Sequence, residues 1–365
     1  MRPKTAADFF LTANSCQGFV SRFSEITGEG ADWHTYILEG APGTGKSAFI
    51  SRMLSALERY DSHIERIHNS SAPECLNGAI FHGIKVSFAD GSARHNINPR
   101  YTGAYETLVP LDACLDADAI YRRRSEIRDI SNEADVLSER VSRFLNTAGI
   151  ISKDTYEYAL ECTDSSKIVQ FASRLVSKEL KTRKKDKKPW ERTRFLSALS
   201  PEGFFMFSSS PMEYCSKIYV IDDDYGAGAK LLLDALHFYI RQMGYNLIVC
   251  ASPLFPEDKI DHIIVPEAEL CFMTSSRCCR PEGFDACRNV HCRRFTDQSL
   301  LKRKKQRIKF NRRTVGELFN EAAILKSKER EARKALKKIY ASAMDFVAWE
   351  NYFRSVLLQI AERTL

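Results

Sequence analysis

The sequence predicts an α/β protein made of two related halves, each a parallel sheet with helices on both faces, followed by a helical tail. A glycine-rich loop, residues 40–47, follows an apolar run at 36–38 and precedes apolar residues at helical spacing. The same strand–loop–helix pattern returns 183 to 185 residues later, which indicates a duplication. Strands that alternate with helices are typical of parallel sheets.

The first loop, Gly40-Ala41-Pro42-Gly43-Thr44-Gly45-Lys46-Ser47, has the spacing G-x-x-x-x-G-K-[ST]. Between a strand and a helix this spacing indicates phosphate binding, because glycines let backbone N–H groups face phosphate oxygens at a helix N-terminus. Lys46 would contact the β- and γ-phosphates, and the Ser47 hydroxyl would bind Mg²⁺. No Asn-Lys-x-Asp or Thr-Lys-x-Asp guanine motif occurs, which favours ATP. The alternative is a glycine-rich turn with a chance lysine.

A carboxylate at the end of a neighbouring strand is the second part of such a site, since it holds Mg²⁺ through water. The stretch 86–90 is a mostly apolar strand that ends in Asp90, about one strand–helix–strand unit beyond the loop. We therefore predict Lys46 and Asp90 as catalytic residues, with Ser47 and Asp90 as the magnesium ligands. A plain Asp-Gly turn is the alternative for Asp90.

The second copy of the loop, residues 223–230, has lost the residues that carry this chemistry. The replacements are Asp223 for Gly40, Ala229 for Lys46, Lys230 for Ser47 and Thr274 for Asp90. Added carboxylates would repel phosphate. We predict that the second half does not hydrolyse ATP. The alternative treats 218–224 as a strand that ends in metal-binding carboxylates.

Composition and spacing divide the chain into four segments. They are an α/β domain with the intact loop at 1–115, a helical extension and basic linker at 116–192, a second and degenerate α/β domain at 193–300, and a basic segment with C-terminal helices at 301–365.

The net charge of +7 depends on two short stretches, 181–188 and 302–313. We interpret both as solvated linkers or loops, and nucleic-acid binding is not indicated beyond them. Eleven cysteines without a signal-peptide core favour a reducing environment, and no apolar run approaches the ~20 residues of a membrane span. We therefore expect a cytoplasmic protein with no membrane contact.

A cysteine and histidine cluster follows the second copy. The candidate zinc ligands are Cys278, Cys279, Cys287, His291 and Cys292. No C-x₂-C pair is present, although structural zinc sites usually contain one. Scattered free thiols are the favoured interpretation, and zinc is the alternative.

Several short motifs occur together along nearly the whole chain. They are Gly18-Phe19-Val20, the loop 40–47, Asp90-Gly91-Ser92-Ala93 with His95, Asn98-Pro99, Arg194-Phe195-Leu196, Gly203-Phe204, Pro256-Glu257, Ile263-Ile264-Val265-Pro266, Tyr340 and Ala343-Met344-Asp345-Phe346. This ordered set resembles an uncharacterised group of bacterial tandem P-loop ATPases. The resemblance implies a P-loop fold and ATP hydrolysis. The second loop is usually intact in that group, so a second active site is not carried over to this chain, and Arg94 stands where proline is usual.

Three functions remain open from the sequence. The first is an ATPase switch or regulator that acts on an unknown protein partner or on a second copy of itself. The second is a small-molecule or nucleotide kinase, for which Arg122, Arg123 and Arg124 are candidate lid residues. The third is a scaffold that binds ATP without hydrolysing it.

Overall fold

Two six-stranded sheets, two two-stranded sheets and eight α-helices are the main elements of the computed structural model of this chain, which describes residues 5–28, 30, 32–97, 99–183, 188–276, 279–283 and 288–364. The first half contains β1 (Thr5–Phe10), β2 (Thr12–Ser15), β3 (Gly18–Ser21), β4 (His34–Glu39), α1 (Lys46–Leu57), β5 (His63–Asn69), β6 (Ala72–Phe81), β7 (Val86–Asp90), β8 (Glu106–Pro110), α2 (Ala117–Arg122), α3 (Arg124–Glu161) and α4 (Ser165–Glu179). The second half contains β9 (Glu191–Arg194), β10 (Ser197–Ser200), β11 (Gly203–Met206), β12 (Lys217–Asp222), α5 (Ala227–Gln242), β13 (Leu247–Ala251), β14 (Ile260–Val265), β15 (Leu270–Ser275), β16 (Arg288–His291), α6 (Gln298–Arg303), α7 (Lys305–Ala341) and α8 (Phe346–Thr364).

The two sheets have the same topology. The first sheet has the order β1-β5-β6-β7-β4-β8, and the second has β9-β13-β14-β15-β12-β16. Five strands of each sheet run parallel, whereas β6 and β14 run antiparallel to both of their neighbours. The prediction of purely parallel sheets was therefore wrong at these strands. Only residues 70–71 connect β5 to β6, and a link this short can join only antiparallel strands.

Each sheet packs against the other sheet on one face and against helices on the other face. Side chains from both sheets form the central core, among them Phe9, Ile67, Ile80, Ile248, Ile264 and Met273. Helices α1 and α8 cover the outer face of the first sheet, and α5 and α4 cover that of the second. The prediction of helices on both faces of each sheet was therefore wrong, because one face of each is buried against its duplicate.

The helical tails are exchanged between the halves. Helix α4 belongs to the first half but packs on α5, while α8 belongs to the second half and packs on the first sheet. Helices α3 and α7 lie along each other. Phe10 N donates to Phe195 O at 2.8 Å and Phe195 N donates to Phe10 O at 2.9 Å. This reciprocal pair joins equivalent residues of the two halves, so they are related by a pseudo-twofold axis.

The basic stretch 302–313 is helical, and the interpretation as a loop was wrong. Its residues belong to α6 and α7, where Ile308 is buried together with Leu301 and Cys162. Acidic residues from other elements pair with its cations, as in the contact of Lys304 with Glu161. Burial of one face and charge pairing on the other therefore hold this segment in a helix. In the other basic stretch, residues 181–183 form no helix or strand, and 184–187 lie outside the described residues.

Among the helices that the structure describes, none combines the length and apolar character that crossing a membrane requires.

Candidate functional site

The first loop lies where β4 ends and α1 begins, at the carboxyl edge of the first sheet. Gly43 has a φ of 103° and Gly45 a φ of 86°, in a region of backbone conformation that glycine adopts readily and other residues rarely do. Gly45 is also the N-cap residue of α1. Thr44 is buried and its hydroxyl donates to Ala41 O at 3.0 Å, which closes the loop on itself. The glycine positions of the motif are thus required by the backbone path.

Lys46 is the first residue of α1 and only 8% of its surface is exposed. Its Nζ donates to the carbonyl oxygens of Gly40 and Ala41, the second at 3.0 Å. The same nitrogen lies 3.9 Å from Oδ1 of Asp90. Burial lowers the pKa of Lys46, while the carboxylates of Asp90 and Asp112 act in the opposite direction. The structure therefore brings the two predicted catalytic residues together around a largely desolvated ammonium group.

Two carboxylates flank the loop because β4 lies between two parallel strands. Asp90 is the last residue of β7, in register with Leu38 of β4, and its Oδ1 accepts the N–H of Ser92 at 3.0 Å. Asp112 follows β8, and its Oδ1 accepts the N–H of Ala41 at 2.8 Å. The sequence pattern indicated Asp90 but missed Asp112, because β8 has no strong apolar alternation.

Ser47 and His95 complete the surroundings of the loop. Ser47 Oγ accepts the N–H of Leu76 on β6 at 3.0 Å, which leaves a second lone pair on that oxygen. His95 is buried and stacks on Phe23 with ring centroids 4.1 Å apart. Its Nδ1 lies 2.7 Å from the carbonyl oxygen of Asp90 and therefore carries the proton. Burial lowers the pKa of His95, so it is a neutral residue that fixes the end of β7.

Helices of the second half contact the first loop directly. A side chain added at Gly43 would collide with the backbone of Lys337 on α7. One added at Gly45 would lie 2.8 Å from Nε1 of Trp349 on α8. That indole nitrogen is buried and has no hydrogen-bond partner among the described residues. A change in the conformation of the loop would therefore alter its contacts with both α7 and α8.

In the second loop, the carboxylate of Asp223 lies at the N-terminus of α5, where the first loop is predicted to bind phosphate. Oδ1 of Asp223 accepts the N–H of Tyr225 at 2.8 Å, and its Oδ2 accepts the N–H of Ala229 at 2.7 Å, in the first turn of α5. Lys230 pairs instead with Asp234 at 2.7 Å. A carboxylate thus binds backbone N–H groups that face phosphate in an intact motif. That this half hydrolyses no ATP stays a prediction, which the occupied loop supports.

Replacing Asp223 by Ala is expected to lower the free energy of unfolding by about 1–2 kcal/mol, because two N–H groups lose their acceptor at a helix N-terminus. Urea unfolding followed by circular dichroism measures this difference. Asp222→Ala is the matched control, since Asp222 is exposed and its carboxylate pairs with exposed His291, and it should change stability by less than about 0.5 kcal/mol. Equal stabilities of the two variants would show that Asp223 does not support the loop.

The zinc candidates do not form a site in the described part of the chain. Cys278 and Cys287 lie outside the described residues. His291 is exposed, and its Nδ1 lies 3.1 Å from Asp222. Cys292 is buried against Gly228, and burial raises the pKa of its thiol, which disfavours the thiolate that zinc needs. Cys279 is half-buried, and its backbone exchanges hydrogen bonds with Ser276.

A buried charge cluster between the sheets was missed by sequence reasoning. His63, Glu65 and His82 have donor atoms within 4.8 Å of one another, a spacing that a metal ion could bridge. However, Nε of Arg194 lies 2.6 Å from Oε2 of Glu65, and a nitrogen of Arg192 lies 3.3 Å from Nε2 of His82. Two guanidinium groups already balance this carboxylate, so the cluster is an ion-pair network.

A cavity of about 670 Å³ at the second loop was also missed. Residues of α3, α7 and the carboxyl edge of the second sheet form its walls. Because these segments are far apart in the chain, no local sequence signal could have revealed it.

Comparison with protein-family models, with curated proteins and with solved structures finds no match to this chain. Its function therefore has to be inferred from its own residues.

Proposed function

We propose that the first half binds Mg²⁺ and ATP at residues 40–47 and hydrolyses the nucleotide, and that the protein works as an ATPase switch or regulator. The main observation in support is the distance of 3.9 Å between Nζ of Lys46 and Oδ1 of Asp90. Lys46 stands at the end of the glycine-rich loop, where helix α1 begins. We also propose that this chain belongs to the tandem P-loop ATPases that its motifs resemble.

The residues present fit the nucleotide and the metal. The ammonium group of Lys46 would exchange the carbonyl oxygens of Gly40 and Ala41 for oxygens of the β- and γ-phosphates. Ser47 would offer Mg²⁺ the lone pair that Leu76 does not use, and Asp90 would hold the cation through water. When bound, ATP would supply the transferable phosphoryl group, and Mg²⁺ would neutralise part of its charge. The chain's own part is to orient the phosphates and to lower the energy of the charge that develops on them.

Contact of the loop with α7 and α8 favours a switch. Lys337 on α7 and Trp349 on α8 touch Gly43 and Gly45, so binding in the loop acts on elements of the other half. Helix α7 in turn lies along α3, whose chain continues into α4 on the second sheet. A change at the first loop thus has a direct physical route to both halves.

The kinase alternative has less support. Arg122, Arg123 and Arg124 are exposed, Arg123 bonds Glu126 in the next turn, and Arg124 lies over the Tyr121 ring. These contacts join residues three apart at the junction of α2 and α3 and do not favour a lid. The scaffold alternative differs from the proposal only in the absence of hydrolysis.

Asp90→Asn is expected to reduce Mg²⁺-dependent phosphate release by at least about tenfold, because the variant loses the carboxylate that holds the metal. ATP affinity without Mg²⁺ should stay within about twofold, since the change removes a metal ligand and no phosphate contact. Phosphate release and calorimetric binding measure the two quantities on the full chain.

Asp129→Asn is the matched control, because Asp129 is exposed on α3, and its activity should equal that of the wild type. Tight ATP binding with no phosphate release by the wild-type protein would favour the scaffold. Loss of the γ-phosphate only when a small-molecule acceptor is added would favour the kinase.

A further inference from the structure

The 670 Å³ cavity occupies the position in the second half that corresponds to the nucleotide site of the first. The second loop contributes Tyr225 and Gly226 to its lining, and Thr274 lies in it at the position of Asp90. In register, Thr274 pairs with Ile221, just as Asp90 pairs with Leu38. Its volume is within the ~300–1,000 Å³ that is typical of small-molecule sites.

Phosphate groups are disfavoured at the second loop, which forms one part of this cavity. The carboxylate of Asp223 already accepts the loop N–H groups of Tyr225 and Ala229. Two of the three lysines that line the cavity are paired with carboxylates, Lys230 with Asp234 and Lys259 with Asp261, each at 2.7 Å, and the third, Lys153, is exposed on α3. A phosphorylated ligand would therefore meet negative charge where the first loop offers N–H groups and a lysine.

Four residues that are almost fully buried present polar groups to the cavity. Ser197, Ser252 and Thr274 are all less than a tenth exposed, and within the described ranges of the chain their hydroxyl groups make no hydrogen bond. His262 is also buried, and burial lowers its pKa to about 4, so the ring is neutral. Its Nδ1 accepts the N–H of Thr274 at 3.3 Å, which places the proton on Nε2 as a further donor. These four groups face the cavity, so they are available to hydrogen-bond a polar ligand that binds there.

Aromatic rings form much of the wall, namely Tyr156, Phe204, Tyr225, Phe255 and Phe319. Phe204 and Phe319 meet edge to face with centroids 5.0 Å apart. We propose that this cavity binds an unphosphorylated nucleoside, with its base against the aromatic rings and its hydroxyl groups on the four buried polar groups. Flat rings suit a heteroaromatic base, and three hydroxyls with one N–H donor suit a ribose or a base edge. This site is distinct from the first loop and does not depend on hydrolysis there.

Calorimetry of the full chain with adenosine, guanosine, cytidine and uridine tests the proposal. The measurement is made in a Lys46→Met background, which weakens binding of phosphates to the first loop. At least one nucleoside is expected to bind, and at least tenfold more tightly than its own 5′-monophosphate. Thr274→Val removes one hydroxyl with little change of shape and should weaken that binding on the order of 3- to 10-fold.

Val315→Trp fills the cavity from α7 and should weaken nucleoside binding by at least tenfold. Ile324→Trp is its matched control, since Ile324 is exposed on the same helix outside the cavity, and it should leave affinity within twofold. The proposal is overturned if no nucleoside binds at millimolar concentration, which would mean a hydrated cavity only. It is also overturned if binding is unaffected by both Val315→Trp and Thr274→Val, or if monophosphates bind more tightly than nucleosides.

Discussion

Replacing Lys46 by Met is expected to reduce ATP hydrolysis by about 10²- to 10³-fold, the usual loss when one preorganised group that stabilises transition-state charge is removed. Lys46 is the residue best placed for that role, because its ammonium group is buried, lies in the loop and is 3.9 Å from Asp90. Methionine keeps the length of the apolar stem and removes only the charge and its donors. Steady-state phosphate release at saturating ATP, together with calorimetric ATP affinity, measures the effect.

Lys85→Met is the matched control, since Lys85 is half exposed and pairs with Asp32 at the other end of β7. It should hydrolyse ATP like the wild type. Circular dichroism and thermal melting of both variants separate loss of chemistry from loss of fold. If Lys46→Met retained wild-type hydrolysis, the first loop would not be the catalytic site.

Local signals explain what the sequence predicted about the site. The loop 40–47 needs positive φ at its glycines, and a helix starts directly after it, so spacing and residue type identify it. Asp90 ends an apolar strand, which is visible without knowledge of the sheet. The sequence comparison aligned Thr274 with Asp90, and the strand register agrees, because Thr274 pairs with Ile221 as Asp90 pairs with Leu38.

Long-range contacts explain what the sequence could not predict. The helix at 302–313 was taken for a loop because the acids of other elements that pair with it, such as Asp154 with Arg307, are 88 to 153 residues away. Helices were expected on both faces of each sheet because nothing local shows that the two sheets pack on each other. The exchange of α4 and α8, and the cavity between α3 and α7, depend on the same packing of duplicated halves.

One buried ion pair joins the two sheets. Arg194 lies on β9 and Glu65 on β5, and their side chains are 1% and 0% exposed with Nε and Oε2 2.6 Å apart. A second nitrogen of Arg194 lies 3.3 Å from Glu25, and Oε1 of Glu65 lies 2.8 Å from Nε2 of His82. Arg194 and Glu65, the two charges that are fully buried, are therefore each paired with a group of opposite charge.

Arg194→Met is expected to lower the free energy of unfolding by about 3–5 kcal/mol, because it leaves the Glu65 carboxylate buried without its main cation. Chemical denaturation at pH 7.5 measures the loss. Arg22→Met is the matched control, since Arg22 forms a 2.6 Å pair with Glu257 that is partly exposed and should cost less than about 1 kcal/mol. A second substitution, Glu65→Gln, should recover part of the stability of Arg194→Met, because it removes the unpaired charge.

The stability gap between wild type and Arg194→Met should depend on pH with a defined sign. Burial alone raises the pKa of Glu65, but Arg194 and His82 outweigh it and hold the pKa well below its usual range. The wild type therefore keeps the contribution of this carboxylate until the pH falls through that lowered pKa. Without Arg194 the pKa of Glu65 rises, so the variant binds a proton on acidification and no longer buries an unbalanced charge. The gap should be largest at pH 7.5 and smaller at pH 5, whereas a gap that is constant with pH would mean that Arg194 acts through packing alone.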